Sequence, residues 1–242
     1  MSRYSRQEIL PEVGAHGQRQ LASARVAIIG LGGLGCAAAP YLAGAGIGEL
    51  VLVDGDRVEL SNLARQTLHG EADVGRHKAD SAAAALAALN SEITLRAHRQ
   101  RADDALLAQL AADCDLLLDC SDNFPTRQAV NRACVAQGCA LVSGAAIRWE
   151  GQLFVAHPGR GNSPCYACLY GHDEGGTESC EQAGIAGPLV GAIGSLQALA
   201  ALRLLLGRGQ AGWLWRFDAA DGNWRKWSVP RDPDCPVCAS RH

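Results

Sequence analysis

The sequence predicts an α/β fold, in which a Rossmann-like, doubly wound and mostly parallel sheet continues into an antiparallel C-terminal half with a four-cysteine zinc site. Short apolar runs alternate with helical stretches before residue 150, a pattern typical of strands joined by crossover helices. After Gly151 apolar and polar residues alternate instead, which indicates antiparallel strands. Two CxxC pairs in this second half supply the cysteines of the predicted metal site.

The first half is predicted to run strand, helix, strand. It opens with a buried strand at Arg25–Gly30, a glycine-rich loop and an Ala-rich helix that continues to Gly46. Further strands are expected at Leu50–Asp54, Thr94–His98, Leu116–Asp119 and Ala140–Ser143, and helices at Lys78–Asn90, Asp103–Ala112 and Pro125–Gln137. This order of elements predicts a parallel sheet with helices on both faces.

The second half is predicted to be antiparallel and tied together by metal. Strands are expected at Leu153–Ala156, Trp213–Phe217 and Trp224–Val229, after a loop-rich segment between residues 159 and 187. The apolar stretch Ile185–Leu206 is interrupted by glutamine, arginine and glycine, so a buried helix is expected rather than a membrane span. We expect one domain over residues 1–242, with a nucleotide-binding half at 1–150 and a zinc-tied half at 151–242.

Composition and charge argue against several classes of protein. The net charge of -3 does not suggest a surface for nucleic acid or for a membrane. The N-terminus has no continuous apolar run, so no signal peptide is expected and we predict a cytoplasmic protein. Ten cysteines in such a compartment are expected to be reduced and to serve packing, metal binding or catalysis.

A nucleotide site is predicted where the first strand ends. The pattern Gly30-x-Gly32-x-x-Gly35 follows a strand and opens a helix, and Asp54 ends the next strand, where an acid usually holds a ribose hydroxyl. The glycines allow the backbone to approach phosphates, which the helix N-terminus attracts. The motif alone is compatible with NAD, FAD, S-adenosylmethionine or ATP.

The surrounding charges favour ATP. A triphosphate carries about four negative charges, so it needs several cations and usually a magnesium ion. Arg65 lies just past the second strand, and Lys78 opens the following helix. Asp122 and Asn123 follow the carboxyl end of another strand, the edge at which open α/β sheets bind ligands. Asp122 is therefore the predicted magnesium ligand.

The cysteines divide into three groups. Cys165-x-x-Cys168 and Cys235-x-x-Cys238 supply four thiolates suited to a structural zinc ion. Neither CxxC is expected to start a helix within a βαβ unit, which argues against a thioredoxin-like redox pair. Cys180 lies in a polar glycine-rich loop before a helix, where a thiol is either a nucleophile or a bystander. The remaining cysteines are expected to fill the core: Cys36, Cys114, Cys120, Cys134 and Cys139.

No histidine pair has metal-ligand spacing. His69 and His77 lie near the phosphate motifs, and surface or capping roles are expected for both.

Six motifs occur together along the chain, namely RYSRQ, GLGGLG, SNLARQ, DCSDN, PCYACL and CPVC. In this order and spacing, from Arg3 to Cys238, they resemble the bacterial ubiquitin-activating-like superfamily of the MoeB, ThiF and HesA type. That superfamily includes the molybdopterin-synthase and thiamine sulfur-carrier adenylyltransferases. Two positions depart from it, because Gln usually stands in place of Ala64 and Pro often in place of His77.

The resemblance implies a role for individual residues. The glycine loop would hold ATP, Asp54 its ribose and Asp122 the magnesium ion, while a matching cysteine suggests sulfur transfer by Cys180. Arg6 would reach the ATP of the neighbouring subunit of a homodimer, so the short N-terminal segment is expected to dock on that subunit. The predicted nucleotide site comprises Gly30, Gly32, Gly33, Gly35, Asp54, Asp56, Ser61, Asn62, Arg65, Lys78, Asp122 and Asn123.

The resemblance also implies a reaction. The terminal glycine carboxylate of a small ubiquitin-like sulfur-carrier protein ending in Gly-Gly would attack the α-phosphate of MgATP, and pyrophosphate would leave. Residues 151–242 would bind this carrier, and a separate sulfurtransferase or cysteine desulfurase would supply sulfur. The segments LVSGAAIRWEGQ and SNLARQTLH favour the molybdopterin pathway over the thiamine pathway. A non-catalytic partner-binding member of this fold and an NAD-dependent oxidoreductase are the alternatives.

Overall fold

The computed structural model describes residues 2–171 and 184–239 of the chain. Its strands are β1 Arg25–Ile29, β2 Glu49–Val53, β3 Thr94–His98, β4 Leu116–Asp119, β5 Ala140–Ile147, β6 Glu150–Ala156, β7 Trp213–Asp218 and β8 Asn223–Ser228. Its helices are α1 Ser5–Glu8, α2 Gly14–Ser23, α3 Gly33–Gly44, α4 Lys78–Leu89, α5 Asp104–Asp113, α6 Phe124–Gln137, α7 Tyr166–Tyr170 and α8 Gly187–Leu205. The strands form an eight-stranded sheet in the order β3-β2-β1-β4-β5-β6-β7-β8.

The sheet changes direction at β5. The strands β3, β2, β1, β4 and β5 are parallel, whereas β6, β7 and β8 are each antiparallel to the preceding strand. The last residue of β1, Ile29, is in register with Val53 of β2 and Asp119 of β4. The carboxyl ends of these three strands therefore meet at one edge. The predicted fold class is confirmed, including the change from parallel to antiparallel strands.

Helices cover both faces of the parallel strands, because successive strand residues point to opposite sides and both sets are apolar. Val26 and Ile28 belong to the core that α3, α4 and α8 share, and Ala27 and Ile29 belong to the core beneath α5 and α6. Helix α8 is long and apolar enough to cross a membrane. It packs against α3 and the sheet, as the sequence predicts.

The N-terminal segment docks on its own chain, which the sequence did not predict. The Tyr4 ring lies against Gly46, and its hydroxyl accepts a hydrogen bond of 3.0 Å from Asn90 Nδ2. Gln7 Nε2 donates to Gln18 Oε1 at 2.7 Å and to the Ala45 carbonyl at 3.1 Å. The segment thus has a place on the same subunit, and a neighbouring subunit is not needed to order it.

Other differences concern the ends of elements. Strand β5 continues to Ile147, although its small residues after Ser143 show no strong alternation. The loop-rich segment contains the short helix α7, for which Cys165 is the N-cap residue. The first CxxC therefore starts a short helix. That helix lies outside the βαβ part of the chain, so the argument against a thioredoxin-like pair is unaffected.

Candidate active site

A cleft of about 390 Å³ opens at the carboxyl ends of β1, β2 and β4. Strand β1 pairs with β2 on one side and with β4 on the other. The strands that follow β1 are therefore added first on one side of it and then on the other, so the strand order reverses at β1. Ligands of doubly wound sheets bind at such a switch point. Ten of the predicted site residues line this cleft: Gly30, Gly32, Gly33, Asp54, Asp56, Asn62, Arg65, Lys78, Asp122 and Asn123.

The glycine loop is held close to neighbouring backbone. Gly30 has a φ of 95°, and a Cβ atom there would lie 2.8 Å from the Cys120 carbonyl oxygen. A Cβ atom on Gly35 would lie 2.1 Å from the carbonyl oxygen of Gly30. Gly35 therefore does not line the cleft but lets α3 approach the loop closely. This packing brings the start of α3 to the wall of the cleft, where its free amides favour a phosphate.

Asp54 connects the end of β2 to the glycine loop. Its Oδ2 atom accepts a hydrogen bond of 2.7 Å from the Leu31 amide, and Oδ1 accepts one of 2.8 Å from the Asp56 amide. Burial raises the pKa of Asp54, and the two amide hydrogen bonds oppose that rise. The carboxylate fixes the loop, and its predicted contact with a ribose hydroxyl stays a prediction.

Lys78 and Arg101 stand near one acid of the cleft, Asp56, and Arg65 is a further cation of the cleft lining. The Nζ atom of Lys78, a residue only 7% exposed, lies 3.4 Å from Asp56 Oδ2. Arg101 Nη2 lies 3.8 Å from the other oxygen of Asp56. Arg65 Nη1 donates to the Ser61 carbonyl at 3.2 Å. A polyphosphate entering the cleft would compete with Asp56 for Lys78 and Arg101.

The predicted magnesium ligand lies on a turn between β4 and α6. The Asp122 side chain is exposed, and its Oδ1 atom accepts a hydrogen bond of 3.2 Å from Asn123 Nδ2. Asn123 is the N-cap of α6, since its Oδ1 atom accepts from the Thr126 amide at 3.0 Å. The cap fixes the backbone beside Asp122 and leaves a carboxylate oxygen free for a hard cation such as Mg²⁺.

A buried carboxylate supports this turn from beneath. Asp119, which is 1% exposed, accepts hydrogen bonds from the Ser121 amide at 3.1 Å, from Ser121 Oγ at 2.6 Å and from Ser143 Oγ at 2.7 Å. Gln197 Nε2 of α8 donates to the Asp119 carbonyl at 2.7 Å. These bonds tie the start of the turn to β5 and to α8.

Some predicted site residues lie elsewhere. Ser61 is not part of the cleft lining, and its hydroxyl donates to Glu59 Oε2 at 3.3 Å. Arg6 is exposed on α1, and no contact with the cleft of its own subunit is found within the described ranges. Cys180 lies outside the described residues, so the expectation for it is untested.

Sequence reasoning missed several polar residues that line the cleft, among them Gln66, Arg101 and Arg127. Gln66 belongs to the SNLARQ motif, and Arg101 follows the carboxyl end of β3, so motif and strand-end signals were both available. Arg127 lies one turn inside α6, where no sequence signal distinguishes it from a surface residue.

The prediction for His69 is wrong. It is 6% exposed, with Nδ1 2.8 Å from Ser81 Oγ and Nε2 3.3 Å from the Leu31 carbonyl oxygen. Burial lowers the pKa of His69. The imidazole therefore supports the glycine loop from behind instead of serving at the surface or as a helix cap. His77 occupies the N-cap position of α4 without a capping hydrogen bond from its side chain.

The four predicted metal ligands converge. The Sγ atoms of Cys165, Cys168, Cys235 and Cys238 all lie within 4.8 Å of one another. Three of the separations are 3.7 Å for Cys165–Cys235, 3.9 Å for Cys165–Cys168 and 3.5 Å for Cys168–Cys238. Tetrahedral zinc with bonds of about 2.3 Å to sulfur requires separations of roughly 3.8 Å. These three separations are close to those of a tetrahedral zinc site, so the chemistry and spacing of the cluster suit zinc.

Burial raises the pKa of the Cys168 thiol to about 11, so a bound metal must displace its proton. The five cysteines expected in the core are all buried: Cys36, Cys114, Cys120, Cys134 and Cys139.

A family model described as the ThiF family matches residues 4–237, nearly the whole chain. The chain belongs to the ThiF family. This ThiF member is 47% identical over 240 residues to the molybdopterin-synthase adenylyltransferase of Salmonella typhimurium, covering 98% of this chain and 96% of that protein. It is 45% identical over 237 residues to the sulfur carrier protein ThiS adenylyltransferase of Escherichia coli, covering 98% and 94%. Both relatives are adenylyltransferases, the class of enzyme that the sequence predicts.

A solved structure agrees with the fold of this ThiF member. The Escherichia coli protein MccB, crystallised with ATP, superposes with a TM-score of 0.85 at 25% identity. The match covers 98% of this chain and 74% of MccB. A solved protein of the same fold has therefore been seen together with ATP.

Proposed function

We propose that the chain is an ATP-dependent adenylyltransferase that activates the C-terminal glycine carboxylate of a small ubiquitin-like sulfur-carrier protein. The observation that carries the proposal is the cleft at the switch point of the sheet. There a glycine loop, the cations Arg65 and Lys78, and the exposed carboxylate Asp122 stand together in a ThiF-family chain. A triphosphate needs this combination of backbone amides, cations and a magnesium ligand.

The chemistry follows from these groups. A carboxylate oxygen of the carrier attacks the α-phosphorus of ATP, the bond from that phosphorus to the bridging oxygen breaks, and pyrophosphate leaves. Arg65 and Lys78 neutralise negative charge that builds up on the phosphates. Asp122 would hold Mg²⁺, which offsets further phosphate charge. No general base is required, because the attacking carboxylate is already ionised at neutral pH.

We further propose a homodimer in which Arg6 acts on the ATP of the partner subunit. Tyr4 and Gln7 anchor the N-terminal segment on its own chain and leave Arg6 exposed between them. An arginine on a fixed short helix can present two donors to phosphate oxygens of a second molecule. The anchoring therefore suits a contact made in trans.

The carrier is proposed to be that of the molybdopterin pathway, with the thiamine carrier as the second candidate. The identities of 47% and 45% to the two relatives differ too little to separate them. The sulfur is proposed to come from a separate sulfurtransferase or cysteine desulfurase. All nine cysteines in the described ranges are free thiols, which suits the reducing cytoplasm proposed for this reaction.

The test is ATP–pyrophosphate exchange with each candidate carrier ending in Gly-Gly. We expect exchange only when MgATP and the matching carrier are both present, and a carrier lacking its terminal glycine serves as the control. Protein that binds MgATP but exchanges no pyrophosphate with either carrier would indicate a non-catalytic member of the family. Thermal stabilisation by NAD but not by MgATP would point to an oxidoreductase instead.

A further inference from the structure

Leu31 is the residue of the glycine loop that turns away from the cleft. Its neighbours Gly30 and Gly32 line the cleft, whereas Leu31 is fully buried and its side chain belongs to the core. Its amide donates a hydrogen bond of 2.7 Å to Asp54 Oδ2. Its carbonyl oxygen lies 3.3 Å from His69 Nε2. Side chains from outside the loop therefore hold both polar backbone groups of Leu31.

The carbonyl of Leu31 determines where the next amide points. The peptide bond between Leu31 and Gly32 is trans, and in a trans peptide the C=O and N–H groups point in opposite directions. The carbonyl is directed at the buried His69, so the Gly32 amide is directed away from it, toward the cleft that Gly32 lines. Within the described residues this amide has no hydrogen-bond partner. It directly precedes α3, where free amides favour a phosphate.

The surroundings of His69 define which ring nitrogen carries the proton. A carbonyl oxygen can only accept, so the bond to Leu31 requires a proton on Nε2. Burial lowers the pKa of His69, which favours the neutral ring. Nδ1 is then an acceptor, and Ser81 Oγ donates to it at 2.8 Å. Ser81 belongs to α4, the helix that begins at Lys78, so the ring joins the glycine loop to that helix.

The Leu31 carbonyl has a second, weaker partner. Cys36 Sγ donates to it at 3.1 Å, and a thiol is a poorer donor than an imidazole N–H. Cys36 lies on α3, which continues directly from the loop. Its thiol therefore cannot fix the loop against another part of the chain, whereas His69 can.

We propose that His69 is a positioning residue for the nucleotide site. In its neutral form, with the proton on Nε2, it holds the Leu31 carbonyl behind the glycine loop and so directs the Gly32 amide at a phosphate oxygen of ATP. Ser81 keeps the ring in this tautomer. The inference rests on the proposed function, because ATP is the ligand whose phosphate the amide would meet.

Two amide replacements separate the roles of the two ring nitrogens. Glutamine is one methylene longer than asparagine, so its amide can reach the Leu31 carbonyl from position 69, whereas the asparagine amide reaches only as far as Ser81. Both replacements remove the ring and leave a buried amide in its place. A general loss of packing or stability affects His69→Gln and His69→Asn alike, while a positioning role singles out His69→Asn.

The first experiment measures the affinity for MgATP by calorimetry in the absence of a carrier. Loss of one hydrogen bond corresponds to roughly a two- to tenfold change in an equilibrium constant. We expect His69→Asn to weaken MgATP by that factor and His69→Gln to stay within about twofold of the unmodified protein. Adenosine has no phosphate, so both variants should bind it as the unmodified protein does. Equal affinities of the two variants for MgATP, or an equal loss for adenosine, would overturn the proposal.

The second experiment reads the proton on the ring directly and needs no nucleotide. Long-range ¹H–¹⁵N NMR distinguishes the two tautomers, and the signal of His69 among the seven histidines is the one missing from His69→Gln. We expect a neutral ring with its proton on Nε2 at neutral pH. A proton on Nδ1 alone would leave the Leu31 carbonyl without this donor and would refute the inference. If the unmodified protein bound no MgATP, the proposed function would fail and the positioning role with it, although the hydrogen bond to Leu31 would stand.

Discussion

Replacing Asp119 tests whether the buried carboxylate organises the turn that carries Asp122. Asp119→Ala removes the acceptor of three hydrogen bonds at a site that is 1% exposed. Two of the donors are the hydroxyls of Ser121 and Ser143, which can rotate toward other acceptors. The third donor is the Ser121 amide, which is fixed by the backbone and loses its partner. Asp119→Asn keeps one oxygen for that amide, so it serves as the matched comparison.

The magnitude follows from counting these donors. A hydrogen bond to a charged group contributes about 1.5–3 kcal/mol, and a rotatable hydroxyl that loses its partner costs about 1 kcal/mol. One fixed donor and two rotatable donors give a loss of roughly 3–5 kcal/mol in the free energy of unfolding for Asp119→Ala. Asp119→Asn should cost only about 1–2 kcal/mol, since its amide nitrogen can donate to the Ser143 hydroxyl in place of accepting from it.

Urea unfolding followed by tryptophan fluorescence measures both losses, and calorimetry measures the affinity for MgATP. For Asp119→Ala we expect the affinity for MgATP to fall by more than the fraction of unfolded protein explains. The reason is that the Ser121–Asp122 backbone should shift within the folded protein. A cost below about 1 kcal/mol for Asp119→Ala, or equal costs for the two variants, would show that the hydrogen bonds to Asp119 do not determine the turn.

Four further predictions concern the proposed reaction. Asp122→Asn should abolish pyrophosphate exchange while leaving the unfolding curve unchanged, because an exposed carboxylate contributes to Mg²⁺ binding and little to the fold. Elemental analysis of reduced protein should find about one zinc per chain. Cys235→Ser should lower the melting temperature, while the protein that remains folded still binds MgATP. Mixing inactive Arg6→Ala and Asp122→Ala proteins should restore activity, since one of the two sites in a mixed dimer keeps both residues. Cys180→Ala should retain adenylation and lose thiocarboxylate formation if this cysteine relays sulfur.

Each of these outcomes has a clear opposite. Near-normal pyrophosphate exchange by Asp122→Asn would contradict the assignment of Asp122 as a magnesium ligand. Folded protein that contains no metal would contradict the zinc assignment. If subunit exchange is demonstrated by labelled chains but no activity returns, Arg6 does not act in trans. Unchanged thiocarboxylate formation by Cys180→Ala would make that cysteine a bystander.

The sequence predicted the cleft because its main residues stand at the ends of strands. Gly30, Asp54 and Asp122 each follow a buried apolar run, and parallel strands bring such ends to one edge. The four cysteines were equally predictable from the sequence, because a CxxC pair is a local pattern that is typical of metal binding. In these cases local sequence carries the positional information.

Residues whose role depends on a distant partner were not predictable in this way. His69 is buried because Ser81 and the glycine loop pack around it, and nothing adjacent in sequence shows this. The buried side chain of Asn131 accepts its hydrogen bond from the Tyr166 amide only when α7 packs against α6. The N-terminal segment docks through Tyr4 and Gln7 onto residues that lie far along the chain. Such contacts are set by tertiary packing, which local patterns do not encode.

Strand β5 has a consequence for how members of this family can be recombined. It pairs in parallel with β4 and, through seven residue pairs, antiparallel with β6, so it joins the parallel and the antiparallel strands of the single sheet. A chimera with its seam near residue 150, where β6 begins, would join a β5 and a β6 that never evolved together. Exchange of the C-terminal half between relatives should therefore yield folded protein only when residues 140–156 come from a single parent.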